Sequence, residues 1–243
     1  MLKAKIIAVF KALSMAVVLA ALTAMLSMVS CVPKQIASAH SVSHMTPVSA
    51  YRYQAPVATI QLTDSRTNNL WKAAIKAWNR THAFTFKIVN SNAQIKADSF
   101  SSLNDEYRNT TGITYTRYSG NQLLSAKTQL NRGSLALYHY NINEQTNVAE
   151  HELGHTIGLL HNPGEDSVMY YRDRYVAVQP VDIAAVKKDY GTTTFEDTFN
   201  DAPIISHTFI DPVTIRDLVP LADQAPAFSP VRTLVEATKA NPG

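Results

Sequence analysis

The sequence predicts an α+β domain, because one amphipathic helix precedes four strand-like runs and two further helices follow them. Leu70, Trp71, Ala74, Ile75 and Trp78 recur at i, i+1, i+4, i+5 and i+8, which is one face of a helix within residues 64–80. Asp64 or Ser65 can cap its start, and two tryptophans on one face call for a sheet to cover them. The strand-like runs are 84–89, 93–100, 112–118 and 123–130. Phe84-Thr85-Phe86-Lys87-Ile88 and Ile113-Thr114-Tyr115-Thr116-Arg117 alternate as half-buried strands do, and Gly120-Asn121 marks a turn between the last two runs. A second helix begins near Asn143. A third spans 180–190, with Pro180 in its first turn and Gly191 closing it.

Composition narrows the field before any motif is considered. Apolar residues make up 46% and charged residues 17% of 243, which excludes wholesale disorder and a polytopic membrane protein. The formal charge is +3, but four of the 22 Lys+Arg precede His40, leaving 18 against 19 Asp+Glu, so the body is neutral. No basic stripe interleaved with aromatics occurs, and no nucleic-acid partner is expected. The single cysteine, Cys31, excludes Cys-rich zinc modules and an internal disulfide.

Residues 1–39 combine Lys3, Lys5 and Lys11 with 22 uncharged residues at 12–33, the pattern of an export signal. Ala37-Ser38-Ala39 allows cleavage before His40, Met28-Val29-Ser30-Cys31 resembles a bacterial lipobox, and the apolar run is long enough for a retained anchor. Each fate puts the body outside the cytoplasm: secreted, or held on the outer face of the cell membrane by lipid or anchor. Residues 40–56 read as a linker and 57–191 as the folded domain. The last 52 residues hold six prolines and seven acidic residues without a helix or strand period, so 192–243 read as an appended tail of unknown role.

The chemistry concentrates in His151-Glu152-Leu153-Gly154-His155-Thr156-Ile157-Gly158-Leu159-Leu160-His161. With this chain's frequencies, the five fixed residues of H-E-x-x-H-x-x-G-x-x-H coincide by chance with a probability on the order of 10⁻⁵. On a helix His151 and His155 project from one face and can reach one metal ion. On a continuous helix His161 would lie about 15 Å along the axis from His151, so the helix must stop near Gly158, which can take a left-handed conformation and swing the chain back. Three imidazoles leave Zn²⁺ an open position, as a catalytic site requires, and Glu152 suits a general base toward the bound water and then a proton donor to the leaving amine. His40, His44, His82, His139 and His207 show no ligand spacing.

These eleven residues resemble the metzincin zinc metalloprotease signature. Ser167-Val168-Met169-Tyr170, whose methionine stands eight residues after His161, resembles the methionine turn of the matrixin branch, which implies that Met169 packs beneath the ligands without binding the metal. The resemblance covers about 57–191 and implies a twisted mixed sheet carrying a long N-terminal helix, an active-site helix and a C-terminal helix. Where matrixins place proline two residues after the turn methionine, Tyr171 stands. In related branches a tyrosine there stabilises the oxyanion, and packing is the alternative. The chain after the turn walls the leaving-group pocket in this family, so Arg172 and Arg174 are candidates for an acidic or polar preference. One catalytic zinc is implied. A second zinc, calcium loops and a cysteine switch are not indicated.

The expected activity is an exported zinc-dependent endopeptidase, a monomer acting on peptide or protein substrates. The alternative is a non-catalytic, zinc-stabilised surface module that binds peptides in the same cleft.

Overall fold

The computed structural model describes residues 44–191, 202–214 and 233–234. The export signal and the rest of the tail lie outside them. Among the described residues no helix is long and apolar enough to cross a membrane.

Seven strands form one mixed sheet in the order β2-β1-β3-β5-β4-β6-β7. They are β1 (Val57–Leu62), β2 (Thr85–Ile88), β3 (Ile95–Phe100), β4 (Thr110–Ser119), β5 (Gln122–Asn131), β6 (Ile204–Pro212) and β7 (Thr233–Leu234). β1, β2, β3 and β5 run parallel, while β4 turns back antiparallel to β5 through Gly120-Asn121, where Gly120 has φ +55. Four helices complete the domain: α1 (Asn68–Arg80), α2 (Arg132–Leu137), α3 (Ile142–Thr156) and α4 (Pro180–Gly191).

The tryptophan face of α1 is buried as its spacing requires, with Trp71 and Trp78 fully inside. Burying two such rings contributes on the order of 5 kcal/mol each. Both indole N–H groups find acceptors: Trp71 donates to the Asp98 carbonyl at 3.2 Å and Trp78 to the Glu150 carbonyl at 2.9 Å. The second bond ties α1 to α3, the helix that carries the site. Asp64 does not cap α1. The helix starts after Thr67, and Asp64 accepts instead from the Arg66 backbone and guanidinium and from Ser99.

Three parts of the domain depart from the sequence expectation. β1 and α2 carry no clear period and are absent from it. The expected linker is integral from Thr46 to Tyr53: Ser49 N–H donates to the Gly158 carbonyl and Leu160 N–H to the Pro47 carbonyl. Tyr51 and Tyr53 are buried in the core. Most consequentially, the expected tail contributes β6, paired antiparallel with β4 along its length. Its neighbour β7 is a two-residue strand within the same segment.

Candidate active site

Helix α3 begins in a capping box, where Asn141 accepts from the Asn143 and Glu144 backbone N–H groups and Glu144 accepts from Asn141 N–H. It presents His151, Glu152 and His155 near its C-terminal end and stops at Thr156. Gly158 then takes φ +97, a value that L side chains rarely adopt, and the chain reverses. The reversal delivers His161 to the other two histidines: the ring centroids lie 4.8, 5.3 and 4.9 Å apart for the pairs 151–155, 151–161 and 155–161. All three rings meet, as the spacing argument demands.

The backbone fixes how two of these rings face. His151 Nδ1 lies 2.6 Å from the Val168 carbonyl and His155 Nδ1 2.9 Å from the Leu159 carbonyl. A carbonyl only accepts, so each Nδ1 carries a proton, and each Nε2 faces inward, 3.1 Å from the other. Val168 is held in turn by Asp182, whose carboxylate accepts from Val168 N–H, Gln179 N–H, Ser167 Oγ and Thr46 Oγ1 at 2.5–2.9 Å. Met169 is fully buried, with its sulfur against Gly154 between the two helical histidines, where a Cβ would collide with it. It therefore packs against α3 at Gly154.

Glu152 is completely buried. Thr114 donates to its Oε2, Thr128 lies 3.5 Å from the same atom, and the Asp211 carboxyl is a further neighbour. The carboxyl fits only because strand β4 has no side chain at Gly112: a Cβ there would fall 2.8 Å from Glu152 Cγ and closer still to the carboxylate. Burial first, and then the neighbouring Asp211 carboxylate, push its pKa well above the ordinary value.

Asp211, on β6, is the residue that sequence reasoning misses. It is fully buried, with Oδ1 2.6 Å from His161 Nε2 and 3.3 Å from His151 Nε2, and Oδ2 3.5 Å from His155 Nε2. Burial raises its pKa, but the three facing histidines outweigh it and hold the carboxyl well below the usual range. Asp211 in turn lifts His151 to about 9 against the pull of burial, while burial wins at His155 and lowers it to about 4. Asp211 thus adds a carboxylate to the three imidazoles that the sequence brings together.

His151, His155, His161 and Asp211 could together hold a metal ion, their donor atoms lying within 4.8 Å of one another. Their chemistry fits zinc. Three imidazoles and a carboxylate are the donor types that zinc takes at about 2.0–2.2 Å, and the cluster is compact enough for one ion to be reached by all four residues. Two inward Nε2 atoms at 3.1 Å with a buried carboxylate beside them are an arrangement that a cation satisfies.

Other sequence candidates fall outside the cluster. Tyr171 is half-buried, its ring 4.5 Å from Tyr170 and beneath the Arg172 guanidinium at 5.6 Å. Arg174 does not face a substrate pocket. It is buried against the Tyr140 ring, pairs with Glu144 at 2.9 Å and donates to the carbonyls of Tyr138, His139 and Thr214. Arg174 therefore has no free guanidinium with which to select a substrate side chain. His207 lies on β6, with Nδ1 2.9 Å from the Tyr51 hydroxyl.

Comparison with known proteins agrees with this geometry. No curated protein sequence matches the chain. The profile described as matrixin matches residues 48–191, more than half of the sequence, from the strap that bridges to Leu159 through α4. With zinc the catalytic metal of that family and a histidine cluster built to hold one ion, the chain belongs to the matrixins, a family of zinc metalloendopeptidases.

Proposed function

We propose that Glu152 is the general base of an exported endopeptidase whose zinc is held by His151, His155 and His161. The observation that carries this reading is the convergence of three imidazoles beside the buried Glu152 carboxyl. When bound, zinc supplies a water acidic enough to react near neutral pH and polarises the scissile carbonyl. Glu152 Oε1 takes the proton of the attacking water, while Thr114 holds Oε2 so that the carboxyl keeps its aim. The oxygen of water bonds to the carbonyl carbon, the carbon–nitrogen bond breaks, and Glu152 returns the proton to the departing amine. Val168 and Leu159 carbonyls keep the helical histidines oriented throughout.

The test is incubation of the zinc-loaded full chain with a mixed peptide library, in the parent and Asp211→Ala backgrounds, each with and without Glu152→Ala and a chelator. Cleavage is expected in at least one background, with loss on chelation and loss on Glu152→Ala while zinc stays bound. Equal turnover with and without Glu152 defeats the assignment. Export rests on the basic start and uncharged run of residues 1–33. The intact mass of the secreted protein checks it and gives the mature terminus.

A further inference from the structure

We propose that β6 is a built-in occupant of the substrate-binding edge and that Asp211 is an exchangeable fourth metal ligand, so that the folded chain is latent until the segment 203–214 is displaced. This rests on the zinc endopeptidase reading and adds a regulation of the same site.

The first support is position. Without β6, strand β4 would be the free edge of the sheet beside the metal cluster, and a free edge is where an extended peptide adds as a further strand. β6 takes that place along nine residues, with Asp211 opposite Gly112 and Phe209 opposite Thr114, the residues on either side of Glu152's carboxyl. Alternation along the strand sends His207, Phe209 and Asp211 to one face. Phe209 stacks on the His155 ring at 4.0 Å and 12° and His207 meets Tyr51, while Ile204 and Ile210 stay exposed. A peptide seeking β4 finds both its hydrogen-bonding edge and the metal cluster already filled.

The second support is the ligand set. Sites with four protein ligands are structural, whereas catalytic sites keep one position open. This cluster brings three histidines and Asp211 together, one donor atom from each within 4.8 Å of the others, so that Asp211 supplies a fourth protein ligand. Beside it stands Glu152, a buried base with nothing to act on while Asp211 is in place. A closed ligand set and an intact base are both useful only if the fourth ligand can leave. Asp211 is the ligand able to leave, because it arrives on a strand added beyond the matrixin-matched segment, which ends at residue 191. The far end of that strand is latched: Arg174 donates to the Thr214 carbonyl, and Tyr140 Oη accepts from Thr214 N–H at 2.8 Å. This gives buried Arg174 a purpose that substrate selection does not.

The test uses the zinc-loaded full chain as parent, Asp211→Ala, the closely isosteric Asp211→Asn, and Asp211→Ala combined with Glu152→Ala. Two quantities are measured on each: affinity for a small hydroxamate, which needs an open metal position but no catalysis, and turnover of a quenched fluorescent peptide. Both single variants are expected to bind the hydroxamate about tenfold or more tightly than the parent, because occupancy by β6 reduces the binding-competent fraction, and to turn peptide over faster by a similar factor. The double variant is expected to keep the hydroxamate gain without turnover. Equal hydroxamate affinity in the parent and the folded Asp211→Asn protein overturns the proposal. A hydroxamate gain with no turnover in any form upholds the occupant and overturns the peptidase reading instead. Cobalt substitution adds a readout in the parent alone: a visible spectrum unmoved by hydroxamate is expected, and an immediate shift at low hydroxamate counts against a filled fourth position.

Discussion

Gly112→Ala should disable the base without dismantling the metal site. A methyl group at that position falls 2.8 Å from Glu152 Cγ and 2.5 Å from Cδ, and nearer still to Oε1. Ordinary carbon contacts need about 3.4 Å or more, so Cγ must retreat by about 0.6 Å and the carboxylate by more than about 1 Å. Strand β4 is fixed between β5 and β6, so the side chain yields rather than the backbone. Displacement of a reacting group by about 1 Å costs on the order of 10²-fold in rate. Losing the Thr114 bond to a buried carboxylate adds about 1–3 kcal/mol of destabilisation, a fall in Tm of roughly 4–10 °C for a domain of this size. The assay is kcat/KM on a fluorogenic peptide in the Asp211→Ala background, with zinc content and Tm measured on the same preparations. The expected signature is a rate loss of about a hundredfold with one zinc retained. The same change at Gly191, where a Cβ meets nothing within 4 Å, is the control and should leave both quantities unchanged. A Gly112→Ala enzyme within about threefold of its background would refute the claim that this glycine makes room for the base.

Other perturbations separate the remaining parts. Gly158→Ala forces φ +97 on an L residue and sets its Cβ 3.0 Å from the Tyr51 carbonyl and Ser49 Oγ. A cost of about 2–4 kcal/mol and weakened zinc retention are expected in denaturation and metal-competition titrations. Asp182→Ala strips the acceptor from Val168 N–H and Gln179 N–H, both buried or partly so, and should cost about 3–5 kcal/mol by urea denaturation. Asp189 has its pKa pushed up to about 6 by burial, against the opposing pull of Arg52 3.9 Å away. Its raised value means the folded state binds the proton more tightly than the unfolded chain. Its contribution is full below about pH 4 and is lost as pH rises through 6. Relative to Asp189→Asn, the metal-free parent should lose about 1–2 kcal/mol between pH 4 and 7, less than the full shift because 17% of the side chain stays in water.

The elements legible in the sequence are those in which one period dominates. The tryptophan face of α1, the alternation in β4, and the helix opened by Pro180 lie within a few residues of their expected bounds. The H-E-x-x-H-x-x-G-x-x-H spacing implied a chain reversal at Gly158, and its φ agrees. Strand β1 escaped because Val57–Leu62 is short and sits beside a segment whose prolines and tyrosines resemble a linker. Strand β6 escaped for a different reason. Ile204 and Ile205, and likewise Phe209 and Ile210, put apolar groups on both faces, so no alternation survives, and only its content of β-branched residues signals a strand. Asp211 could not be found by spacing at all, since 50 residues separate it from His161 and only the pairing of β6 with β4 brings it in. Arg174 shows the opposite error: a charged residue near the expected pocket is taken up by Glu144, Tyr140 and three carbonyls.

The peptide unit of Val168 is bonded at both ends, its carbonyl to the His151 ring and its N–H to Asp182 at the start of the last helix of the catalytic domain. Folding alone therefore sets the tautomer and tilt of that imidazole before any ion arrives. Apoprotein prepared by gentle chelation should keep its tertiary structure and recapture zinc without refolding, much as a socket outlasts the plug. The metal would then be a component exchanged in a finished frame, and its removal and return a reversible switch independent of the strand that guards it.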